Sequence, residues 1–179
     1  MSQYKIIFTG PVGAGKTTAI TSISDVPLIK TDEAASDMTK NRKSETTVAM
    51  DYGIMNLGEG EKIHLYGTPG QERFDFMWDI LTVGGIGLVL LLDNSRADPF
   101  KDMKFFLNSF SGFIEETSVA IGVTQMDIST SPTIDEYHQN LQKLGIKVPV
   151  FEVDAREKKD ISTLVQALMF SLDPGLDEE

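Results

Sequence analysis

The 179-residue chain has no cysteine, which excludes a disulfide scaffold, a thiolate metal site, a cysteine nucleophile and lipid attachment through sulfur. Any chemistry it performs is oxygen and nitrogen chemistry. Positive charge is scarce: 16 Lys and Arg stand against 27 Asp and Glu, a formal net charge of −11. Such an excess repels phosphate backbones and anionic lipid surfaces, so no nucleic acid is expected among the partners. Long apolar runs are also missing. The longest, around residues 86–92, is too short to cross a bilayer and fits a buried strand instead. Met1-Ser2-Gln3 begins neither a secretory signal nor a myristoylation site, and there is no basic tail, so the expectation is a cytoplasmic protein with no direct membrane anchor.

What is present is an alternation. Apolar runs at 4–8, 63–66, 87–93, 119–124 and 148–153 are each followed by an amphipathic stretch, at 16–24, 74–81, 100–110, 133–144 and 161–171. Continuous Val, Ile and Leu strands followed by helical patterns predict an α/β fold, with a mostly parallel sheet covered on both faces. Ser131-Pro132 supplies a cap and a first-turn proline for one helix, and Asp160 a cap for the last. Residues 31–45 have no period, and a polar segment of that length within a domain is usually functional or mobile. One domain is expected over 1–172, followed by an acidic, solvated tail at 173–179. No internal repeat is visible.

Between the first strand and first helix, Gly10-Pro11-Val12-Gly13-Ala14-Gly15-Lys16-Thr17 fits the phosphate-binding pattern G-x-x-x-x-G-K-[ST], in the required strand-to-helix context. Glycines let backbone amides turn inward around an anion, and the helix adds the positive end of its dipole. Lys16 would reach the β and γ phosphates, Thr17 would give its hydroxyl to Mg²⁺, and Thr18 joins the nucleotide-binding set. This cradle alone leaves kinases, ATPases and GTPases open.

Two further stretches narrow the choice. Thr47-Val48-Ala49-Met50-Asp51-Tyr52 resembles the first switch of Rab-type proteins, and Gly67-Thr68-Pro69-Gly70-Gln71 resembles the second switch of the small Ras-like GTPases. Order and spacing match that family, of Rab, Arf and gliding-motility type, along nearly the whole chain. The resemblance implies a Ras-like P-loop NTPase, a three-layer sandwich of a six-stranded mostly parallel sheet with about five helices. It also implies bound GTP or GDP with Mg²⁺, a protein effector and a GTPase-activating partner. The candidate catalytic residues are Gln71, Lys16 and Thr47. Thr47 would offer a hydroxyl to Mg²⁺ and order its loop when the γ phosphate is present. Gly70 would present an amide to the same phosphate, and Gln71 would orient the attacking water.

Base selection falls to Thr124-Gln125-Met126-Asp127, where the family has Asn-Lys-x-Asp, and to Asp154-Ala155-Arg156, where it has Ser-Ala-Lys. The Asp127 carboxylate can accept both the ring N–H and the amino group of guanine, a donor pair that adenine lacks. Thr124 can hydrogen-bond through its hydroxyl, the stem of Gln125 can cover a base face, and the Ala155 amide would bind the guanine oxygen beside Arg156.

Departures from the family matter as well. Gly67 stands where most members have the aspartate that holds Mg²⁺ through water, and loss of such a group typically costs about 10–100-fold in metal affinity or activity. Gliding-motility GTPases of bacteria also lack it, and the Thr-Val-Ala-Met-Asp segment resembles other bacterial Ras-like proteins, which points to a prokaryotic subgroup. Resemblance to bacterial GTPases encoded beside small roadblock-type proteins implies such a protein as a candidate partner. Val12 would crowd an incoming arginine, so intrinsic hydrolysis should be slow. Arg42 and Arg73 are read as solvated surface residues rather than arginine fingers, and His64 and His138 as structural. The methionines with Phe105, Phe106 and Phe110 are read as packing residues. Trp78 has two open roles, core filler or partner anchor. The expected function is a GTP/GDP switch with slow hydrolysis. A non-hydrolysing nucleotide-bound scaffold and, behind it, a P-loop kinase are the alternatives.

Overall fold

Gly-Leu-Val-Leu-Leu-Leu-Asp, residues 87–93, has no polar alternate position, and a strand of that kind must be covered on both faces. In the computed structural model, which describes residues 3–30, 50–68 and 75–172, it is a strand buried from Gly87 to Leu92. The described strands are β1 (Gln3–Thr9), β2 (Ile29–Lys30), β3 (Asp51–Gly58), β4 (Glu61–Gly67), β5 (Gly87–Asp93), β6 (Val119–Thr124) and β7 (Val150–Glu152). They form one sheet in the order β2-β3-β4-β1-β5-β6-β7. Pairing is parallel from β4 through β7 and antiparallel in β2–β3 and β3–β4.

Six helices are described: α1 (Lys16–Ile23), α2 (Asp75–Leu81), α3 (Pro99–Ser109), α4 (Ser111–Glu116), α5 (Ile134–Lys143) and α6 (Lys158–Leu172). One apolar layer joins Ile6, Phe8, Val89 and Leu91 of the sheet to Ile20 and Ile23 of α1 and Ile161, Leu164 and Leu168 of α6. The opposite layer joins Ile7, Leu88, Leu90 and Ile121 to Trp78, Met103, Phe106, Phe110, Tyr137 and Leu141. The fold is thus the α/β, mostly parallel, three-layer sandwich of P-loop Ras-like proteins. Its additions to the expected count are the two-residue β2 and the single-turn-scale α4.

Several local expectations are corrected. The cap of α5 is Thr133, not Ser131: its side chain accepts from the Glu136 amide at 3.3 Å while the Glu136 carboxylate accepts from the Thr133 amide at 2.8 Å. This reciprocal capping box satisfies two helix-end donors at once, which a lone serine cap does not. Asp160 does not cap the last helix, because α6 already begins at Lys158; its carboxylate instead accepts from the Asp154 amide at 2.9 Å and fastens the turn after β7. β3 begins in the last two residues of the switch-like motif and runs on to Gly58, a stretch that none of the apolar runs marked. Trp78 is 2% exposed and stacks on Phe110 with ring centroids 4.9 Å apart, so it is a core residue. His64 bridges Tyr52 and Gln3 within the sheet.

Candidate functional site

Three segments meet at the carboxyl-terminal edge of the parallel strands, where β1 lies between β4 and β5 and the connections diverge to opposite faces. In open α/β sheets this crevice is where ligands bind. The loop after β1 passes so close to β5 that a Cβ on Gly10 would stand 2.1 Å from the Leu91 carbonyl oxygen, and φ there is +144°. Gly15 takes φ +99° at the start of α1, where no side chain caps the helix and no acidic residue enters its first turn. The sequence therefore leaves an uncapped, positively polarised helix end facing a loop that only glycine can turn.

Lys16 folds back over this loop, its Nζ donating to the carbonyls of Gly10 at 2.6 Å and Pro11 at 3.0 Å. Burial pushes the ammonium down to about 8, partly opposed by the negative charge of Asp51. An ammonium has three donors, so one remains beyond those two bonds. Next in the chain, the Thr17 hydroxyl donates to the Asp51 carboxylate, which enters from β3. Val12 is 57% exposed on the loop's outer side.

The base-selecting candidates face the same edge. A cavity of about 650 Å³ is lined by Ala14, Gly15 and Thr18 on one side and by Thr124, Gln125, Asp127, Ala155 and Arg156 on the other. Asp127 is exposed, so its carboxylate is open to a ligand. Thr124 is turned elsewhere: its buried hydroxyl donates to the Ala14 carbonyl at 2.9 Å, with the Leu92 carbonyl at 3.2 Å, and so ties the base-side loop to the phosphate loop. Gln125 adopts φ +64°, an uncommon conformation for its type that sets the start of this loop. Arg156 is clamped to Asp154 through Nε and Nη2 at 2.9 and 2.8 Å, which holds the Asp154 carboxyl down at about 2 and raises the guanidinium above its ordinary value.

Gly10, Pro11, Val12, Gly13, Ala14, Gly15, Lys16, Thr17, Thr18, Thr124, Gln125, Asp127, Ala155 and Arg156 are thus gathered at one edge, whereas Thr47, Gly70 and Gln71 lie outside the described residues, as do Arg42 and Arg73. Sequence reasoning missed Asp51 and the buried Asn94. The latter donates to the carbonyls of Ser129 and Pro132 at 2.7 and 2.9 Å and accepts from the Tyr137 hydroxyl, holding the loop that carries Asp127. Asn94 directly after a buried strand was the only available signal. Thr17 and Asp51 present hard oxygen donors of the kind Mg²⁺ takes together with phosphate oxygens and water. Among the described residues no group of three or more His, Asp or Glu could hold a metal by itself, and no helix is long and apolar enough to cross a membrane.

Comparison with known proteins adds two findings. A family model described as "conserved hypothetical ATP binding protein" matches residues 26–174. Similar individual proteins include an uncharacterized protein of Methanocaldococcus jannaschii, 31% identical over 94 residues, 52% of this chain and 53% of its own. The Ras-related protein RABA6b of Arabidopsis thaliana is 26% identical over 74% of this chain and 55% of its own. The Ras-related protein RabC of Dictyostelium discoideum is 21% identical over 93% of this chain and 82% of its own. The chain spans about half the length of the first two of these relatives.

Proposed function

The chain belongs to the family described as conserved hypothetical ATP binding proteins, and from that premise we propose that it is a cytoplasmic small GTPase of a prokaryotic subgroup, a switch between GTP and GDP forms. The G domain would span 1–172, with 173–179 as an acidic tail. The observation that carries this reading is the single cavity that has the phosphate loop on one wall and the exposed Asp127 on the other. The Asp127 carboxylate can accept the two donors of guanine, the Ala155 amide can meet the guanine oxygen, and the loop amides with Lys16 can hold the phosphates. Distant similarity to Ras-related proteins along 92–93% of the chain supports the same assignment.

Mg²⁺ would be held by Thr17, with Thr47 closing from the first switch, and would neutralise charge on the phosphates. Gly70 would bind the γ phosphate through its amide and Gln71 would orient the attacking water. Intrinsic turnover would be slow, and exposed Val12 would hinder the help of an arginine supplied in trans. The two switch segments would select an effector and a GTPase-activating partner, with a roadblock-type protein as the candidate. A second reading, which Gly67 favours only where no other carboxylate serves the metal, is a nucleotide-bound scaffold that does not hydrolyse.

The test is direct binding of GTP, GDP and ATP to the purified chain, followed by single-turnover GTP hydrolysis with Mg²⁺. Guanine preference that collapses in Asp127→Ala is the expected result. Preference for ATP, as the family's description suggests, or no nucleotide binding at all, overturns the proposal. Binding of GTP with no phosphate release, even with candidate activators, selects the scaffold.

A further inference from the structure

Gly67 ends β4 at the edge of the phosphate site and brings no side chain, yet a carboxylate stands there nonetheless. In the antiparallel β3–β4 pair, Asp51 is the register partner of Gly67. Its side chain reaches the first turn of α1 and accepts the Thr17 hydroxyl hydrogen. A hydroxyl that donates its hydrogen to a carboxylate keeps its oxygen lone pairs for a cation, so this bond pairs two hard donors beside the phosphate loop. We infer that Asp51 supplies the carboxylate of the Mg²⁺ site, from the neighbouring antiparallel strand, in place of one at residue 67.

The space around Gly67 fits the exchange. A Cβ placed there would lie 3.3 Å from Cβ of Asp51, 3.7 Å from its Oδ2 and 3.0 Å from Cδ1 of Ile20. A second carboxylate growing from residue 67 would crowd the first and repel it. Glycine at 67 and aspartate at 51 are thus two halves of one arrangement. The carboxylate lies against the Thr17 hydroxyl, one residue from Lys16 in the first turn of α1, and so sits on the phosphate-binding side. Mg²⁺ is usually held by only one or two carboxylates together with phosphates and waters, and one acidic side chain here meets that need.

The inference rests on the GTPase reading and fails separately from it. The alternative role for Asp51 is a strand-to-helix tether, and Asp51→Asn distinguishes the two because the amide oxygen still accepts from Thr17 while the charge is gone. Release of a fluorescent GDP analogue from the full chain is measured as Mg²⁺ is titrated, and again in excess chelator. Asp51→Asn is expected to need about 10–100-fold more Mg²⁺ for half-maximal nucleotide retention, with unchanged release in chelator. Asp51→Glu, which keeps a carboxylate in reach, is expected to fall between that variant and the unaltered protein. An unchanged Mg²⁺ midpoint in Asp51→Asn, or an Asp51→Glu variant as impaired as Asp51→Asn, overturns the inference and leaves the GTPase reading intact. Failure of the unaltered protein to retain any guanine nucleotide overturns both.

Discussion

A lysine whose ammonium is buried against two carbonyls, as Lys16 is against Gly10 and Pro11, has a charge that burial disfavours and a phosphate would welcome. Below about 8 Lys16 is charged even with no phosphate beside it, above it the proton is lost, and a bound phosphate draws that proton back. Guanine-nucleotide affinity should therefore be full below that value and weaken as pH rises through it, by at most about tenfold per pH unit, which competition titrations from about pH 7 to about 9 would show. Lys16→Ala should bind weakly and lack that dependence. Without a nucleotide the same burial is a cost present below about 8 and relieved toward the ordinary lysine value, so Lys16→Met should raise stability at neutral pH by about 1 kcal/mol or more in denaturant unfolding while weakening binding as Lys16→Ala does. Thr124→Val leaves the Ala14 carbonyl without its buried partner and is expected to cost about 1–3 kcal/mol by the same measurement.

At the scale of elements, the loop between β6 and α5 depends on a few polar anchors. Tyr137→Phe removes the donor to buried Asn94 and should cost about 1–3 kcal/mol, whereas Thr133→Ala removes one half of a surface capping box and should cost about 1 kcal/mol. Both are checked by chemical unfolding, and only Tyr137→Phe is expected to weaken nucleotide binding as well, through the loop carrying Asp127. The elements legible in the sequence were those whose signal is contiguous. β5 and β6 are unbroken apolar runs, and Gly10 to Thr17 is a local motif whose neighbours in the chain are its neighbours in space. β3 was not legible because its residues, with Gly53 and Asn56 among them, lack strict alternation, and it is formed by pairing with β4 rather than by its own pattern. The contacts of Asp51 and Thr124 were not legible for a related reason: their partners are 34 and 110 residues away, and a single sequence carries no trace of such contacts. Asp160 gave a correct sign of a helix start but not of its place, since a carboxylate near a helix terminus can serve the preceding loop equally well.

For the molecule as a whole, the sheet supplies rigidity, and a bound nucleotide would add to the stability. A nucleotide that binds only the folded chain, present at about 100 times its dissociation constant, should add about 2.7 kcal/mol to unfolding, and GDP should do so where ATP at the same concentration does less. Matched thermal melts check this. The hydrogen bond from Thr124 to the Ala14 carbonyl reaches between residues 110 apart and locks the two walls of the cavity together. A receptor whose halves are already joined need not close around its guest. Docking of the base and the diphosphate should then need no rearrangement of those walls, so the observed rate of GDP arrival should climb in proportion to concentration without a plateau set by them.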